Sequence, residues 1–187
     1  SLCDVSTIMD GNNYTKCGGL ILNRWEKDEL LQREPAVGGW IRKFVGADEF
    51  LNAKDRWCLW MIDAKPDDIE AMPLVKKRVE EVKADRLLSD KKETREKASL
   101  IPHLFPEIRQ PREGQFLLIP RVTSERRLYA PIGYMDASVI TSNQVLMIPE
   151  AGLFEFGVLS SGLHMDWLRT VGGRLKSDYR YSGSLVY

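Results

Sequence analysis

Apolar residues change their spacing from one half of the chain to the other. Between Pro73 and Ala98 there is no glycine and no internal proline, and Val75, Val79 and Val82 recur at helical spacing among Lys, Arg and Glu. This pattern predicts one long helix over about residues 73–98 with a narrow buried stripe. Upstream, Asn23 followed by Glu26 has the form of an N-cap with a reciprocal acidic partner, and Leu30 and Leu31 supply the apolar side of a short helix. Pro35 predicts a second short helix reaching about Phe44. The run from Arg56 to Asp63 is short and apolar, which predicts a buried strand and makes Trp57 and Trp60 core residues before a base-stacking platform.

In the second half, Gln115 to Val122, Arg127 to Gly133 and Gln144 to Ile148 read as strands separated by polar turns. Pro120, Pro131 and Pro149 suit sheet edges or bulges better than a central ladder. Phe156, Leu159, Leu163, Trp167 and Val171 then follow spacings of three and four. They predict one core-facing helix despite Gly157 and Gly162, each costing roughly 1 kcal/mol against Ala. Gly172 and Gly173 end it, and a last strand is expected over Leu185 to Tyr187. The fold class is α+β, a mixed or mostly antiparallel sheet packed with helices. With no composition shift to mark a linker, residues 1–187 read as a single domain.

Composition narrows the function classes more than it names one. Hydrophobic residues make up 43% and charged residues 29%, so disorder and collagen-like repeats are poor fits, and no run of about 18 apolar residues spans a bilayer. Twenty-seven Lys and Arg balance twenty-seven Asp and Glu, so bulk charge nominates no nucleic-acid partner. Nine basic against six acidic residues between 76 and 97 make only the middle mildly basic. Cys3, Cys17 and Cys58 are odd in number and lack metal-ligand spacing, which places the chain in a reducing cytoplasm without a disulfide scaffold or a Cys-rich zinc site.

Motifs that carry chemistry are few. Gly18-Gly19 and Gly172-Gly173 are isolated pairs that read as turns, so no phosphate cradle is evident. His103 follows Pro102 in a loop, and His164, beside Leu163 and Met165, reads as a hydrogen-bonding residue before a catalytic base. Ser160 and Ser161 stand near His164, but no nucleophile elbow surrounds them. Asp63-Ala64-Lys65, with Asp48, Glu49 and Asp55 upstream, has the donor types of a metal-dependent nuclease, with the carboxylates for a divalent ion and the Lys to polarise water. A solvated strand end before Pro66 explains the same three residues. The polar cluster hardest to dismiss is in the second half. Arg121, Ser124, Arg126 and Arg127 surround a turn, and Arg174, Lys176, Asp178 and Arg180 alternate with Leu175, Tyr179 and Tyr181. An extended segment over 174–182 would turn these charges to one side, either as a DNA-contacting face or as a solvated one.

Several multi-residue motifs carry a resemblance: Glu49-Phe50, the run Arg56 to Trp60, Pro120 with Ser124 to Arg127, Pro131-Ile132-Gly133, His164-Met165 with Trp167, and Gly173 through Ser182. Along nearly all its length the chain resembles the target-recognition domain of MmeI-like Type IIL restriction-modification enzymes. In that family one polypeptide combines an endonuclease, an adenine N6-methyltransferase using S-adenosylmethionine, and a domain that reads an asymmetric DNA site. The sequence contains no Pro-Pro pair of the kind that holds an extruded adenine, and no glycine-rich loop for the methyl donor. The resemblance therefore implies a recognition module of a larger enzyme, without catalysis or cofactor of its own. S-adenosylmethionine and Mg2+ are expected to serve the parent, and double-stranded DNA and the methyltransferase domain of the same polypeptide are the expected partners.

The resemblance also implies roles. Lys176 and Asp178 fall where the family varies charge reciprocally to choose between the two orientations of one G·C pair. Lys donates to guanine O6 and N7 and Asp accepts from cytosine N4, which fits that choice. Arg121, Asn143 and Gln144 fall at other base-reading positions. Ser124, Arg126, Arg127, Arg174, Ser177 and Arg180 lie in near-constant motifs suited to phosphate contact or positioning. Two other classes remain open at this point: a stand-alone nuclease built on Asp63 and Lys65, and a protein-interaction module.

Overall fold

A computed structural model describes residues 5–187. In chain order its first half contains β1 (Met9–Asp10), β2 (Ile21–Leu22), α1 (Arg24–Arg33), β3 (Ile41–Val45), α2 (Ala47–Asn52) and β4 (Trp57–Leu59). Three helices follow, α3 (Pro66–Glu70), α4 (Pro73–Leu87) and α5 (Lys92–Glu96). The second half contributes β5 (Gln115–Pro120), β6 (Val122–Thr123), β7 (Gly133–Asp136), β8 (Ile140–Thr141) and β9 (Val145–Pro149). It ends with α6 (Leu153–Leu159), α7 (Gly162–Val171), β10 (Gly173–Leu175) and β11 (Asp178–Arg180). This is the α+β class expected, and the ladders within each unit are antiparallel.

The described residues form two compact units, one of residues 5–11, 46–53 and 109–187 and one of residues 12–45 and 54–108. Each is assembled from separated segments, so no linker composition marks a border between them.

In the unit of residues 12–45 and 54–108, β4 lies between β2 and β3. Asn23 caps α1 as expected: its side chain accepts the Glu26 N–H at 2.9 Å and Glu26 returns a bond to the Asn23 N–H at 2.9 Å. Pro35 starts only a 3-10 turn ending at Gly39, and the segment to Phe44 becomes strand β3 instead of helix, with Ile41, Arg42 and Lys43 pairing with β4. Trp60 is core, edge-on to Phe105 at 5.3 Å, whereas Trp57 is half-buried beneath the Lys27 ammonium at 4.4 Å. Gly19 lets the Gly18–Leu20 turn lie against α4, since a Cβ there would stand 2.6 Å from the Arg78 carbonyl.

The long helix expected over residues 73–98 stops at Leu87. Its stripe of Val75, Val79 and Val82 is buried as the spacing requires, and it continues into Arg86, which is fully buried. The Arg86 guanidinium donates to the carbonyls of Ala98 at 2.7 Å, Ile101 at 3.0 Å and Leu104 at 2.7 Å. It also reaches the Cys17 sulfur at 2.9 Å. These acceptors lie on a segment folded back over the helix end, which a continuous helix would carry away. Burial pushes the Cys17 thiol up despite Arg86, so the cation is held by carbonyl dipoles instead of a thiolate.

In the other unit the sheet order is β1-β9-β5-β7. The strands β5 and β9 are central rather than edge strands, and Pro120 and Pro149 are tolerated because each is the last residue of its strand. One face, Leu117 and Ile119 with Leu146 and Ile148, packs with Leu159, Met165, Leu168, Tyr179 and Tyr181. The opposite face, Phe116, Leu118, Val145 and Met147, is buried too, which accounts for continuous apolar runs in place of alternation. No strand forms over residues 127–132; the chain turns there and pairs only from Gly133. Leu185 to Tyr187 is also a turn, closed by Val186 N–H on the Ser182 carbonyl at 2.9 Å.

The helix expected from Leu153 onward is two helices, interrupted at Ser160–Ser161. The Ser160 hydroxyl bonds back to the Phe156 carbonyl at 2.7 Å, and Ser161 caps α7 by accepting the His164 N–H at 3.1 Å. The break shifts the helical phase, so α7 buries His164, Met165 and Leu168 and leaves Leu163 and Trp167 outside. Gly172 ends α7 as expected, where a Cβ would stand 2.4 Å from the Leu168 carbonyl.

Candidate nucleic-acid interface

Two segments far apart in sequence meet in one small sheet. The strands β10 and β11 form an antiparallel hairpin, and β11 pairs in turn with β6, matching Tyr179 to Thr123 and Arg180 to Val122. Lys176 and Ser177 are the two-residue loop. Lys176 takes a φ of +58°, the sense that such loops require at their first position. A side chain in that conformation costs roughly 1–2 kcal/mol, which glycine would avoid.

The loop changes which side chains share a face. Asp178 and Arg180 lie together on one side of β11, and Tyr179 turns inward as expected. Arg174 pairs with Tyr179 and therefore leaves the common face expected for the four charges, because the extended alternation breaks at Lys176–Ser177. Its guanidinium stacks 4.1 Å over the Tyr179 ring and donates to the Ser177 carbonyl at 2.8 Å, closing the loop from behind.

The turn after β6 folds on Ser124, whose carbonyl accepts the Arg127 N–H at 3.1 Å and whose hydroxyl accepts the Arg126 N–H at 3.3 Å. Asp178 joins this turn to the hairpin by accepting the Glu125 N–H at 3.4 Å, and Arg174 stands 3.9 Å from the Glu125 carboxylate. The side chains of Arg126, Arg127, Lys176 and Arg180 are exposed and form no hydrogen bond or ion pair among the described residues.

Arg121 carries the third cluster. Its N–H donates to the Gln144 carbonyl at 3.0 Å and its carbonyl accepts the Tyr181 N–H at 2.7 Å, which ties the Asn143–Gln144 turn to the end of the hairpin. Its Nε donates to the Asn143 carbonyl at 2.9 Å, and its Nη2 pairs with Asp10. Partial burial and the neighbouring Arg180 both lower the Arg121 pKa. Asp10 also accepts from Arg109 at 3.4 Å. Neither Asp10 nor Arg109 is legible in the sequence as a site residue, because Asp10 sits in a two-residue strand with no local pattern. Arg121, Arg126, Arg127, Arg174, Lys176 and Arg180 together outnumber Asp10, Glu125 and Asp178, so a chain of zero net charge carries a locally cationic surface here.

The family model for the target recognition domain of MmeI matches residues 1–187. The chain belongs to the MmeI target recognition domain family. It is 35% identical over 186 residues to DNA methyltransferase A of Bacillus subtilis (strain 168), covering all of this chain and 21% of that protein. It is 43% identical to the Type IIL restriction-modification enzyme MmeI, whose structure was solved in complex with DNA. That likeness has a TM-score of 0.94 and covers all of this chain and 25% of that one. The chain thus spans about a fifth to a quarter of the length of these relatives.

In this MmeI target recognition domain member, Asp48, Glu49 and Asp55, three of the carboxylates that suggest a nuclease, are engaged in local structure, and Asp63 is exposed. Asp63-Ala64-Lys65 leads into α3, where the Asp68 carboxylate accepts the Lys65 N–H at 3.3 Å. Asp55 pairs with Arg24 and Lys43, Asp48 accepts from Asn52 at 2.6 Å, and Glu49 accepts the Gly46 N–H at 2.8 Å. Among the described residues no group of three or more His, Cys, Asp or Glu is placed to hold a metal ion.

His164 is buried and shares a 3.0 Å hydrogen bond with the Tyr181 hydroxyl, the role expected of it. Burial lowers its pKa below the ordinary 6.5. Below pH 6.5 the unfolded chain therefore takes up a proton that the folded chain resists, and stability falls as pH falls. His103 shifts in the same direction. Denaturant titrations between about pH 7 and pH 5 are expected to show this loss, and His164→Gln is expected to flatten it without abolishing it.

Proposed function

We propose that this chain is the sequence-specific DNA recognition module of a restriction-modification methyltransferase. The observation that carries the reading is the β6–β11 pairing, sealed by Asp178 on the Glu125 N–H, which joins the charged turn and the charged hairpin in one surface. Lys176 and Asp178 read the two edges of one G·C pair, with Lys donating to guanine and Asp accepting from cytosine N4. The positive φ at Lys176 supports this: a strained backbone held by a lysine points to work done by its side chain. Arg121, Asn143 and Gln144 read neighbouring bases from the turn that Arg121 closes. Ser124, Arg126, Arg127, Arg174, Ser177 and Arg180 position the module on phosphates or shape the loops that do so.

The parent polypeptide, in this reading, works in the cytoplasm, transfers a methyl group from S-adenosylmethionine to adenine N6 and cleaves DNA with Mg2+. Those groups belong to its other domains. This chain binds and orients the duplex, and its contribution is the choice of site. Specific duplex binding by the parent that survives chelation of divalent metal is the test. Binding that vanishes with the metal, together with DNA cleavage abolished by Asp63→Ala, would return the nuclease reading.

Replacing Arg126 and Arg127 together by Ala is expected to weaken binding to all sequences alike. The slope of log affinity against log salt should fall by about 0.9 for each phosphate that is no longer neutralised. A fluorescence titration over salt concentration measures it, and a change confined to one base position would move these residues into the reading set.

A further inference from the structure

We propose that the outer faces of α6 and α7 seat an apolar surface of the longer polypeptide that carries this domain. The inference rests on the preceding reading of the chain as one module of such a polypeptide. Leu153 is 82% exposed, Phe154 73%, Val158 48%, Leu163 82% and Trp167 50%. Phe154 and Val158 stand one turn apart on α6, as do Leu163 and Trp167 on α7. On its other side α7 buries His164, Met165 and Leu168. Leu163 and Trp167, beside the exposed Asp166 and Thr170, give α7 an apolar patch on its outer side, and this unit leaves that patch uncovered.

The chemistry of the face selects its occupant. Arg169 is the one Lys or Arg on these two helices, and it is engaged by Asp166 at 2.6 Å and by the Arg127 carbonyl at 3.3 Å. No cation is left to meet phosphate, so DNA does not suit the face. Exposed apolar patches of this kind mark protein interfaces, and aromatic side chains such as Phe154 and Trp167 are enriched there. In the two relatives, 21% and 25% of the chain corresponds to this one, so most of each polypeptide lies outside it and must be joined to it. The face is also connected to the charged surface. Arg169 holds the Ser124–Arg127 turn, and α7 passes through Gly172 straight into β10. Seating α7 therefore fixes the reading hairpin relative to the rest of the enzyme.

Single cysteines placed by Phe154→Cys and Leu163→Cys in the full polypeptide test this directly. Maleimide labelling, located by mass spectrometry, is expected to be blocked in the folded polypeptide and restored on denaturation. Hydroxyl-radical footprinting of the unsubstituted polypeptide should likewise spare Phe154 and Trp167. Ready labelling or oxidation in the folded polypeptide overturns the proposal. So does protection that disappears on dilution, which would assign the face to a second copy, or protection seen only with duplex present, which would assign it to DNA. Site-specific methylation by the same samples separates the two levels. Free labelling with specific methylation intact removes the seat alone, whereas an unsubstituted polypeptide that shows no sequence preference removes the recognition reading beneath it.

Discussion

Exchanging the hairpin charges, Lys176→Glu together with Asp178→Arg, is expected to exchange guanine for cytosine at one position of the recognised site and leave the other positions unchanged. Lys176 is the first residue of the hairpin loop and Asp178 the first residue after it, and their side chains are complementary to the two edges of one base pair. An inverted pair costs roughly 1–3 kcal/mol, so the preference should reverse by roughly fivefold to 150-fold. Each single change should impair recognition. Asp178→Arg alone also strips the acceptor from the Glu125 N–H and sets a guanidinium near Arg174. Lys176→Glu alone sets a second carboxylate beside Asp178. Sequencing of methylated sites reads the outcome, and an unchanged site in an active double variant would make these charges a solvated hairpin.

The largest effect on stability is expected from Arg86→Ala. Arg86 is fully buried at the end of α4 and gathers the carbonyls of Ala98, Ile101 and Leu104 with the Cys17 sulfur. Truncation leaves those neutral acceptors unpartnered around a cavity, at a cost of about 1–3 kcal/mol for each buried group that finds no other donor. That is a large part of the roughly 5–15 kcal/mol that holds a typical domain folded. Arg86→Lys should recover only part of it, because an ammonium offers three donors in place of a planar fork. Denaturant titration measures the effect; a value below about 1 kcal/mol would mean that this buried network contributes no more than a surface interaction.

Arg86 also shows where reading the sequence stops. The stripe of Val75, Val79 and Val82 is a local pattern and is legible, as is the Asn23–Glu26 capping box, whose two bonds span three residues. The end of α4 depends on carbonyls that arrive from residues 98–104, so nothing between 73 and 98 announces it. The break at Ser160–Ser161 is hidden because both spacings, before and after it, are helical and only the phase changes. Leu163 and Trp167 follow the spacing of core residues for that reason, yet they are exposed. The hairpin loop is invisible in the sequence because lysine at positive φ violates the local preference that identifies such turns. The charged residues of the site are visible as two clusters. Their union through β6 and β11, and the part played by Asp10 in holding Arg121, are tertiary facts.

Replacing the corresponding segment of MmeI by residues 1–187 of this chain tests the central claim most directly, since the two align over the whole of this chain with a TM-score of 0.94. The hybrid is expected to methylate the site of this chain's own parent enzyme and to abandon the site of MmeI. A catalytically active hybrid that keeps the MmeI site would contradict the account, because the choice of sequence would then reside outside these residues.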